Sequence, residues 1–520
     1  MKNFLFLIIA ILLKISLFAQ DELLYNANSN FEEGNYSAAL RYFLKLCKKK
    51  QYKDNPEINY KIGVCYLYTN SNKALSLNYL LLADSLKKNY FPDIEFYLAL
   101  AYFHNHNFSK AEKLLKSYIK NNQNKLKHET LKEIDLLFEH INTAKELVKK
   151  PLNIKFENLG KNINSVMDDF NCFITEDETF MAFSSNRKYL SEFQEYIQKV
   201  YFSVKSYSGW EPAKPASSGI NTDENEEVVG ISKDGNILLV HVNRISNPDD
   251  IFYSEKTKTG NFTKLNDFGK VINSKYRECG ATLTISNDTL IFASDRPGGY
   301  GGYDLYISYR LPNGSWTNPK NLGPSINTQY DENYPYITAD GKTLYFSSNN
   351  PNSMGGYDIF ISKKINDTLW SQPENIGYPI NDTYDNYIIT ITSNRRYAYV
   401  SRYDTNSIGG LDIYRIIFLD VPPTPIAYTG LIIVGDSLLG TPIKDYDTTA
   451  TFYLHNLEKK EKTLINITKK SKYTIALTPG TWKIEIIGEK IKPFYTEIFI
   501  KDEQPKQTVF FKNIYLIPKK

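Results

Sequence analysis

The stretch LIFASDRPGGYGGYDLYISYR, Leu290 to Arg310, decides the fold of most of this chain. A short β-prone run enters a turn rich in glycine and proline and leaves on a second aromatic and β-branched run, which is typical of a hairpin. Close relatives of the stretch lie at Leu344 to Ser362 and Ala398 to Ile416, with weaker ones at Leu238 to Ser254 and Met181 to Leu190. Repetition of one hairpin predicts a repeat architecture.

Two independent markers recur with the same step. The first is Gly followed by Ile-Asn, whose asparagines are Asn164, Asn221, Asn273, Asn327 and Asn381, spaced by 57, 52, 54 and 54 residues. The second is a polar turn that begins at Ile174, Ile231, Ile285, Ile337 and Ile391. Five repeats of about four short strands each predict a five-bladed β-propeller over 151–420, because a parallel β-helix repeats at half this length or less. A sixth blade, from Leu152 to Gly160 plus the segment after Asp412, is the alternative.

An acid follows the glycine turn at the same place in four repeats, at Asp250, Asp304, Asp358 and Asp412. A carboxylate at this place can accept backbone N–H groups of the turn, so we expect these acids and the five marker asparagines to maintain the fold. A calcium or catalytic role is the alternative for the acids. We expect the glycines to permit the turn. Arg187, Arg244 and Arg296 share one equivalent position and are expected to pair with the acids.

Residues 20–150 have helical periodicity, with anchoring alanines Ala39, Ala74 and Ala111 spaced by 35 and 37. In period and pattern these units resemble tetratricopeptide repeats, which implies an all-α solenoid of helix pairs. A last helix, about Lys125 to Lys149, would cap the solenoid. We expect a surface that docks a partner peptide or helix; a spacer that only positions the next domain is the alternative.

The first 19 residues predict a secretory signal peptide, because Lys2 precedes an apolar run from Phe4 to Leu13 and Ala19 suits cleavage. An uncleaved anchor is disfavoured because the run is short and Lys14 interrupts it. We therefore expect a periplasmic protein with no transmembrane segment in the mature chain, and not a lipoprotein, since no cysteine lies near the cleavage point.

Composition sets the class of protein. A chain of 520 residues is too long for one ordinary core, and its 40 tyrosines and 14% aromatic residues favour β-structure. A net charge of +4 is too small to indicate a nucleic-acid partner.

The cysteines are Cys47, Cys65, Cys172 and Cys279, without any C-x-x-C pair. Cys47 and Cys65 can form a disulfide between neighbouring helices; buried free thiols are the alternative.

A proline-rich linker, 421–426, follows the predicted propeller. Residues 427–520 contain alternating strands with a turn at Pro479 and Gly480, which predicts a small β-sandwich of about seven strands.

Signatures of catalysis are missing from the sequence. Ser325 and Ser437 lack the closing glycine of a nucleophile elbow, and the six histidines never stand in H-E-x-x-H spacing. No phosphate-binding glycine motif precedes a helix. His104 and His106 are expected at a solvated helix end rather than in a metal site. We therefore expect no enzyme, no cofactor and no metal.

The hairpin SDRPGGYGGYDLYIS, followed by W-x-x-P-x-N-L-G and S-I-N-T-x-Y-D-E, is similar to PD40 or WD40-like repeats related to the TolB propeller. More narrowly it resembles the propeller of PorE-like envelope proteins associated with type IX secretion. The first repeat departs from the pattern, with Lys199-Val200-Tyr201 where the others have an acid. Residues 427–520 resemble the carboxypeptidase regulatory-like module of those proteins. The OmpA-like domain that normally follows there is not seen before Lys520, which puts peptidoglycan binding in doubt.

The resemblance implies a non-enzymatic periplasmic scaffold that mediates protein-protein interactions in an outer-membrane-associated complex of type IX secretion or gliding. Its partners would be envelope proteins, including secretion components of the outer membrane. These partners would attach it to that membrane. A carbohydrate- or peptide-binding propeller module without catalysis is the alternative, and an active enzyme is a third hypothesis.

Overall fold

The computed structural model describes residues 22–190, 195–206, 209–243, 249–366, 369–435, 439–503, 505 and 507–519. The predicted signal peptide lies outside these residues. The described residues divide into two compact units, one within Met1–Thr392 and Tyr397–Ile417, and the other within Ser393–Arg396 and Phe418–Lys520. None of the helices in the described part of the chain has the length and apolar character that a bilayer crossing requires.

The first unit begins with helices. They are α1 (22–32), α2 (Tyr36–Cys47), α3 (Lys50–Lys53), α4 (Pro56–Leu67), α5 (Ser76–Leu86), α6 (Ile94–His104), α7 (Phe108–Asn122) and α8 (His128–Leu147), with a 3-10 turn at Lys73–Leu75. Asparagines start three of them: the side chains of Asn35, Asn55 and Asn107 accept N–H groups in the first turns of α2, α4 and α7. The predicted last helix is present as α8.

The helices pack in pairs, α4 with α5 and α6 with α7. A Cβ added to Gly63 of α4 would lie 2.5 Å from Cγ of Leu80 in α5, so only glycine permits this approach of the two helices. Ala39 and Ala111 are fully buried where neighbouring helices meet. The four cysteines are free thiols, and burial raises the pKa of Cys65 to about 12.

Five antiparallel sheets follow the helices. The first contains β2 (Asp169–Ile174), β3 (Phe180–Leu190), β4 (Glu195–Ser206) and β5 (Gly209–Trp210), with β6 (Lys214–Pro215) also paired to β4. The second contains β7 (Asn225–Ile231), β8 (Ile237–Asn243), β9 (Asp250–Glu255) and β10 (Asn266–Asp267). The third contains β11 (Glu278–Leu283), β12 (Thr289–Ser294), β13 (Asp304–Tyr309) and β14 (Lys320–Asn321). The fourth contains β15 (Glu332–Ile337), β16 (Thr343–Ser348), β17 (Asp358–Lys363) and β18 (Glu374–Asn375).

The fifth sheet joins distant parts of the chain. It contains β19 (Ile389–Ile391), β20 (Tyr397–Arg402) and β21 (Asp412–Phe418), and its fourth strand is β1 (Ile154–Asn158), which precedes the other sheets in sequence. The two segments considered for a sixth blade thus pair with each other, but inside this fifth sheet.

The last strands of the third and fourth sheets are only two residues long. Trp316 and Trp370 form isolated bridges with Arg310 and Lys364, and the two-residue strands β14 and β18 come later. Pro319 and Pro373 stand between each tryptophan and its strand; because proline has no N–H, it interrupts the ladder there.

First strands of successive sheets lie against one another: β2 contacts β7, β7 contacts β11, β11 contacts β15, and β19 contacts β2. The hydroxyl of Tyr336 in β15 donates to the carbonyl oxygen of Ile391 in β19 at 3.1 Å. Every first strand therefore contacts the first strand of the next sheet.

The second unit is a pair of sheets. One has the order β23 (Thr441–Pro442), β22 (Ile426–Val434), β26 (Lys472–Leu477), with β29 (Val509–Phe511) and β30 (Ile514–Leu516) parallel to β22. The other has the order β25 (Glu461–Ile465), β24 (Thr451–Asn456), β27 (Gly480–Ile487), β28 (Phe494–Ile500). A short helix, α9 (Ile443–Tyr446), follows β23. Side chains of both sheets, Phe452 and Tyr473 among them, form one apolar cluster.

Candidate functional site

The marker asparagines form a repeated backbone clip. The N–H of Leu305 donates to Oδ1 of Asn327 at 2.8 Å, and Nδ2 of Asn327 donates back to the carbonyl oxygen of Leu305 at 2.9 Å. The same two bonds join Asn164 to Ile413, Asn221 to Val200, Asn273 to Ile251, and Asn381 to Ile359. Each clip fixes the segment that leads into one sheet to the third strand of the sheet before it.

The repeated acids tie the glycine loops down. The carboxylate of Asp304 accepts the N–H of Tyr300 at 2.6 Å and Nδ2 of Asn321 at 2.8 Å. Asp358 accepts the N–H of Met354 and Nδ2 of Asn375, and Asp412 accepts the N–H of Ile408 and Nδ2 of Asn158. Asp250 begins β9 opposite Val242. In the described residues, no group of three or more histidines, cysteines and acids could hold a metal ion.

The expected pairing of the arginines with these acids is wrong for Arg187 and Arg296. Nη2 of Arg296 lies 2.9 Å from Oε1 of Glu278, and Arg187 pairs with Asp169. Each arginine stands two residues after the serine of the second strand that pairs with the acid beginning the first strand, so that acid is the one within reach. Arg244 lies outside the described residues.

Four buried acids, five residues after a marker asparagine, were missed in the sequence. Asp169, Glu226, Glu278 and Glu332 each accept the N–H of the residue that follows the asparagine. Their constant spacing from the marker was the signal that could have found them. In the first repeat Lys199 stands where the other repeats have the acid after the glycine turn. Its ammonium group donates to Oε2 of Glu226 at 2.5 Å, which explains why a cation is found there.

The glycines of PGGYGG serve close contact more than turn geometry. Only Gly298 among them has a positive φ, +93°. A Cβ added to Gly301 would overlap the carbonyl oxygen of Tyr330, and one added to Gly302 would overlap Oδ1 of Asp331. Gly355 and Gly356, and Gly409 and Gly410, make the same approach to the next repeat. Gly298 thus permits the turn as expected, whereas Gly301 and Gly302 let one sheet dock against the next.

A polar cavity of about 240 Å³ lies where the first strands begin, with three carboxylates in its lining. Asp168 accepts the N–H of Leu411 at 2.9 Å, and Asp385 accepts the N–H of Tyr357 at 2.9 Å. Glu227 accepts the hydroxyl of Tyr334 at 2.9 Å. Burial raises the pKa of Asp168. All three acids are thus engaged in bonds that hold strands together.

The end of α6 and the second half of α8 contact loops of the fourth and fifth sheets. Nδ1 of His104 lies 3.2 Å from the hydroxyl of Thr383, and Nε2 of His140 lies 3.2 Å from the carbonyl oxygen of Asn350. The hydroxyl of Thr143 donates to the carbonyl oxygen of Pro351 at 3.0 Å. Desolvation lowers the pKa of both histidines. The expected solvated position of His104 is therefore wrong.

Met354, in the glycine loop of the fourth sheet, is fully buried and belongs to the apolar cluster of α6, α7 and α8. Burial of a methionine among aromatic and aliphatic side chains stabilises such a contact by about 2 kcal/mol. This contact joins the helices to the sheets within the first unit.

A row of tyrosines joins α2, the end of α4 and α6. Tyr36 of α2 stacks on Tyr68 at 5.1 Å, and Tyr68 meets Tyr97 of α6 edge-on at 6.3 Å. Tyr68 is 50% exposed. Tyr36 and Tyr97 are half-buried. A partly exposed aromatic row with polar tips is a common feature of protein-binding surfaces.

Comparisons with known proteins give no family for this chain. No family model matches it, and no curated protein matches it. Among solved structures, TolB from Acinetobacter baumannii is 17% identical with a TM-score of 0.31, over 48% of this chain and 54% of that one. An endo-arabinase from Bacteroides thetaiotaomicron is 15% identical with a TM-score of 0.34, over 49% of this chain and 95% of that one. A glycoside hydrolase is 7% identical with a TM-score of 0.37, over 53% and 94%. The chain thus spans about half the length of the TolB structure, and similarities this low carry no argument about function.

Proposed function

We propose that this protein is a non-enzymatic scaffold whose helix pairs dock one partner and whose sheets present a second surface. The observation that carries the proposal is the attachment of the helices to the sheets through Met354, His104 and His140. Two potential binding surfaces joined by buried contacts keep a fixed relation to each other, which is what a scaffold needs.

The scaffold would contain a closed five-bladed propeller of the TolB or PD40 type. Its support is the unbroken series of contacts between first strands and the place of β1 in the fifth sheet. The clip between Asn164 and Ile413 joins residues from opposite ends of the repeat region. Such closure removes exposed sheet edges.

Absence of catalysis is the second part of the proposal, and the state of the carboxylates supports it. In the cavity, Asp168, Glu227 and Asp385 each accept a protein N–H or O–H group from another strand or loop, which favours a structural role for them.

The cellular role that we propose is periplasmic, in assembling or stabilising an outer-membrane complex of type IX secretion or gliding. The features that favour it are the leader at 1–19 and the PorE-like hairpin sequence at Leu290 to Arg310. Tetratricopeptide-like helix pairs and a carboxypeptidase regulatory-like sandwich at 427–520 complete the proposed composition.

Removal of the gene, followed by an assay of secreted proteins and crosslinking of the envelope, tests this role. We expect secretion to fail in the deletion strain and the tagged protein to recover envelope proteins. A Tyr68→Ser variant should recover less of its partner, because it interrupts the tyrosine row. Tyr90→Ser is the matched control, since Tyr90 is 54% exposed but stands outside the row. Normal secretion without any crosslinked partner would contradict the proposal.

A further inference from the structure

A cleft of about 260 Å³ lies between the second and third sheets. It is lined on one side by residues of β9 and the segment after β10, and on the other by the turn after β11 and the segment around Trp316. This volume is slightly below the lower end of small-molecule sites, about 300 Å³, so it suits a ligand the size of a single ring.

One wall of the cleft is aromatic. Phe268 lies between Tyr253, at 4.9 Å, and Trp316, at 5.7 Å between ring centroids. Trp316 is only partly buried. The cleft therefore offers apolar ring surface to a ligand.

Asn287 places an unpaired acceptor in the same cleft. Its φ is +56°, and every equivalent turn position has a positive φ, with Glu178, Gly235, Gly341 and Arg395 in the other repeats. Oδ1 of Asn287 is buried and has no hydrogen-bond partner. Asparagine adopts this conformation readily, so the unusual feature is the buried acceptor without a partner rather than the backbone. A ligand that donates a hydrogen bond would satisfy it.

Charged groups complete the lining. Glu255, Lys270 and Arg310 line the cleft, and within the described residues none of them takes part in an ion pair. A carboxylate, an ammonium group and a guanidinium group can together accept from and donate to several hydroxyl groups.

We propose that this cleft binds a saccharide ring. The C–H face of the sugar would lie on Trp316 or Phe268, and its hydroxyl groups would bond to Asn287, Glu255 and Arg310. An extended peptide fits less well, because the space holds one ring rather than a strand. This binding site is independent of the proposed scaffold role.

The neighbouring cleft, between the third and fourth sheets, is an internal comparison. It is larger, about 470 Å³, but Leu322 stands where Phe268 does and Gly341 where Asn287 does. Its tryptophan, Trp370, is 5% exposed. Tyr309 and Trp370 line it, but it lacks the continuous row of three rings and the unpaired amide, and we assign no sugar to it.

Calorimetric titration of the purified chain with N-acetylglucosamine, galactose and glucuronic acid tests the proposal. We expect at least one sugar to bind and to quench tryptophan fluorescence. Asn287→Gly should weaken binding about tenfold, through loss of one hydrogen bond, with an equal or higher melting temperature because glycine adopts the positive φ freely and no acceptor stays buried without a partner. Trp316→Ala should weaken it at least as much.

Lys342→Ala, in the neighbouring cleft, is the matched control and should bind like the wild type. No binding of any of the three sugars would overturn the proposal, as would unchanged affinity in Asn287→Gly. Binding of trialanine in preference to the sugars would assign the cleft to peptides instead. None of these measurements involves an envelope partner, so their failure would leave the scaffold role standing.

Discussion

Glu332 and Glu278 occupy the same position in successive repeats but have different partners. Glu278 pairs with Arg296, whereas Asn350 stands at the equivalent of that arginine in the next repeat. Glu332 is fully buried, and without a cation its desolvation raises the pKa to about 7. The loss of the arginine in this repeat thus leaves a buried acid with a pKa near neutral pH.

The stability of the protein should depend on this acid. The folded-state pKa of about 7 lies above the ordinary glutamate pKa of 4.5, so the folded state holds the extra proton between these values. Stability therefore falls as pH rises from 4.5 to 7. Glu332→Gln should remove this loss, and its stability advantage over wild type should grow by up to about 3 kcal/mol between pH 5 and pH 8.

Chemical denaturation at several pH values measures the effect. Glu278→Gln is the control, because it leaves Arg296 without its carboxylate and should destabilise the protein. A Glu332→Gln variant whose stability follows the wild type at every pH would contradict the assignment.

Substitution of Asp358, the acid of the glycine loop in the fourth sheet, tests a second single residue. Asp358 is fully buried and accepts one backbone N–H and one side-chain amide. Asp358→Ala should destabilise the protein by about 2 to 4 kcal/mol, since both donors lose their acceptor. Asp358→Asn keeps one acceptor oxygen and should cost less. Unchanged melting with lost partner binding would show that the acid belongs to a binding site.

At the scale of elements, the glycine loop between β12 and β13 docks on the segment that leads into β15. Gly301 is required because the carbonyl oxygen of Tyr330 occupies the place of a Cβ, whereas Gly298 has open space and a positive φ. Gly301 therefore serves the contact between sheets, and Gly298 serves the geometry of the turn.

Gly301→Ala should destabilise the protein by more than about 3 kcal/mol, because neither backbone can move without breaking the docked loop. Gly298→Ala should cost only about 1 kcal/mol, the strain of a left-handed alanine. Thermal unfolding of the two variants side by side makes the comparison. Equal costs would mean that both glycines serve the turn alone.

At the scale of the whole first unit, helices and sheets meet through a small set of buried groups. Met354 is the apolar member, and the backbone oxygens of Asn350 and Pro351 receive polar contacts from α8. The stability of α6 to α8 should therefore depend on a loop of the fourth sheet.

Met354→Ala should destabilise this contact by about 2 to 5 kcal/mol and increase hydrogen exchange in α6 to α8 more than in the sheets. Met354→Leu, which keeps the volume, is the control and should exchange like the wild type. Exchange that rises equally in every sheet would show that Met354 supports the fourth sheet rather than the helices.

The sequence alone predicted a helical region followed by a repeated β-region, because the periods of helices, strands and turns are local properties of the chain. It also identified the marker asparagines, since an identical step of 52 to 57 residues needs no knowledge of contacts. The partners of Arg187 and Arg296, the docking role of Gly301 and the place of β1 in the fifth sheet came only from the tertiary structure. Each of these depends on which strands lie side by side, and that is set by packing between residues far apart in sequence, such as Asn164 and Ile413.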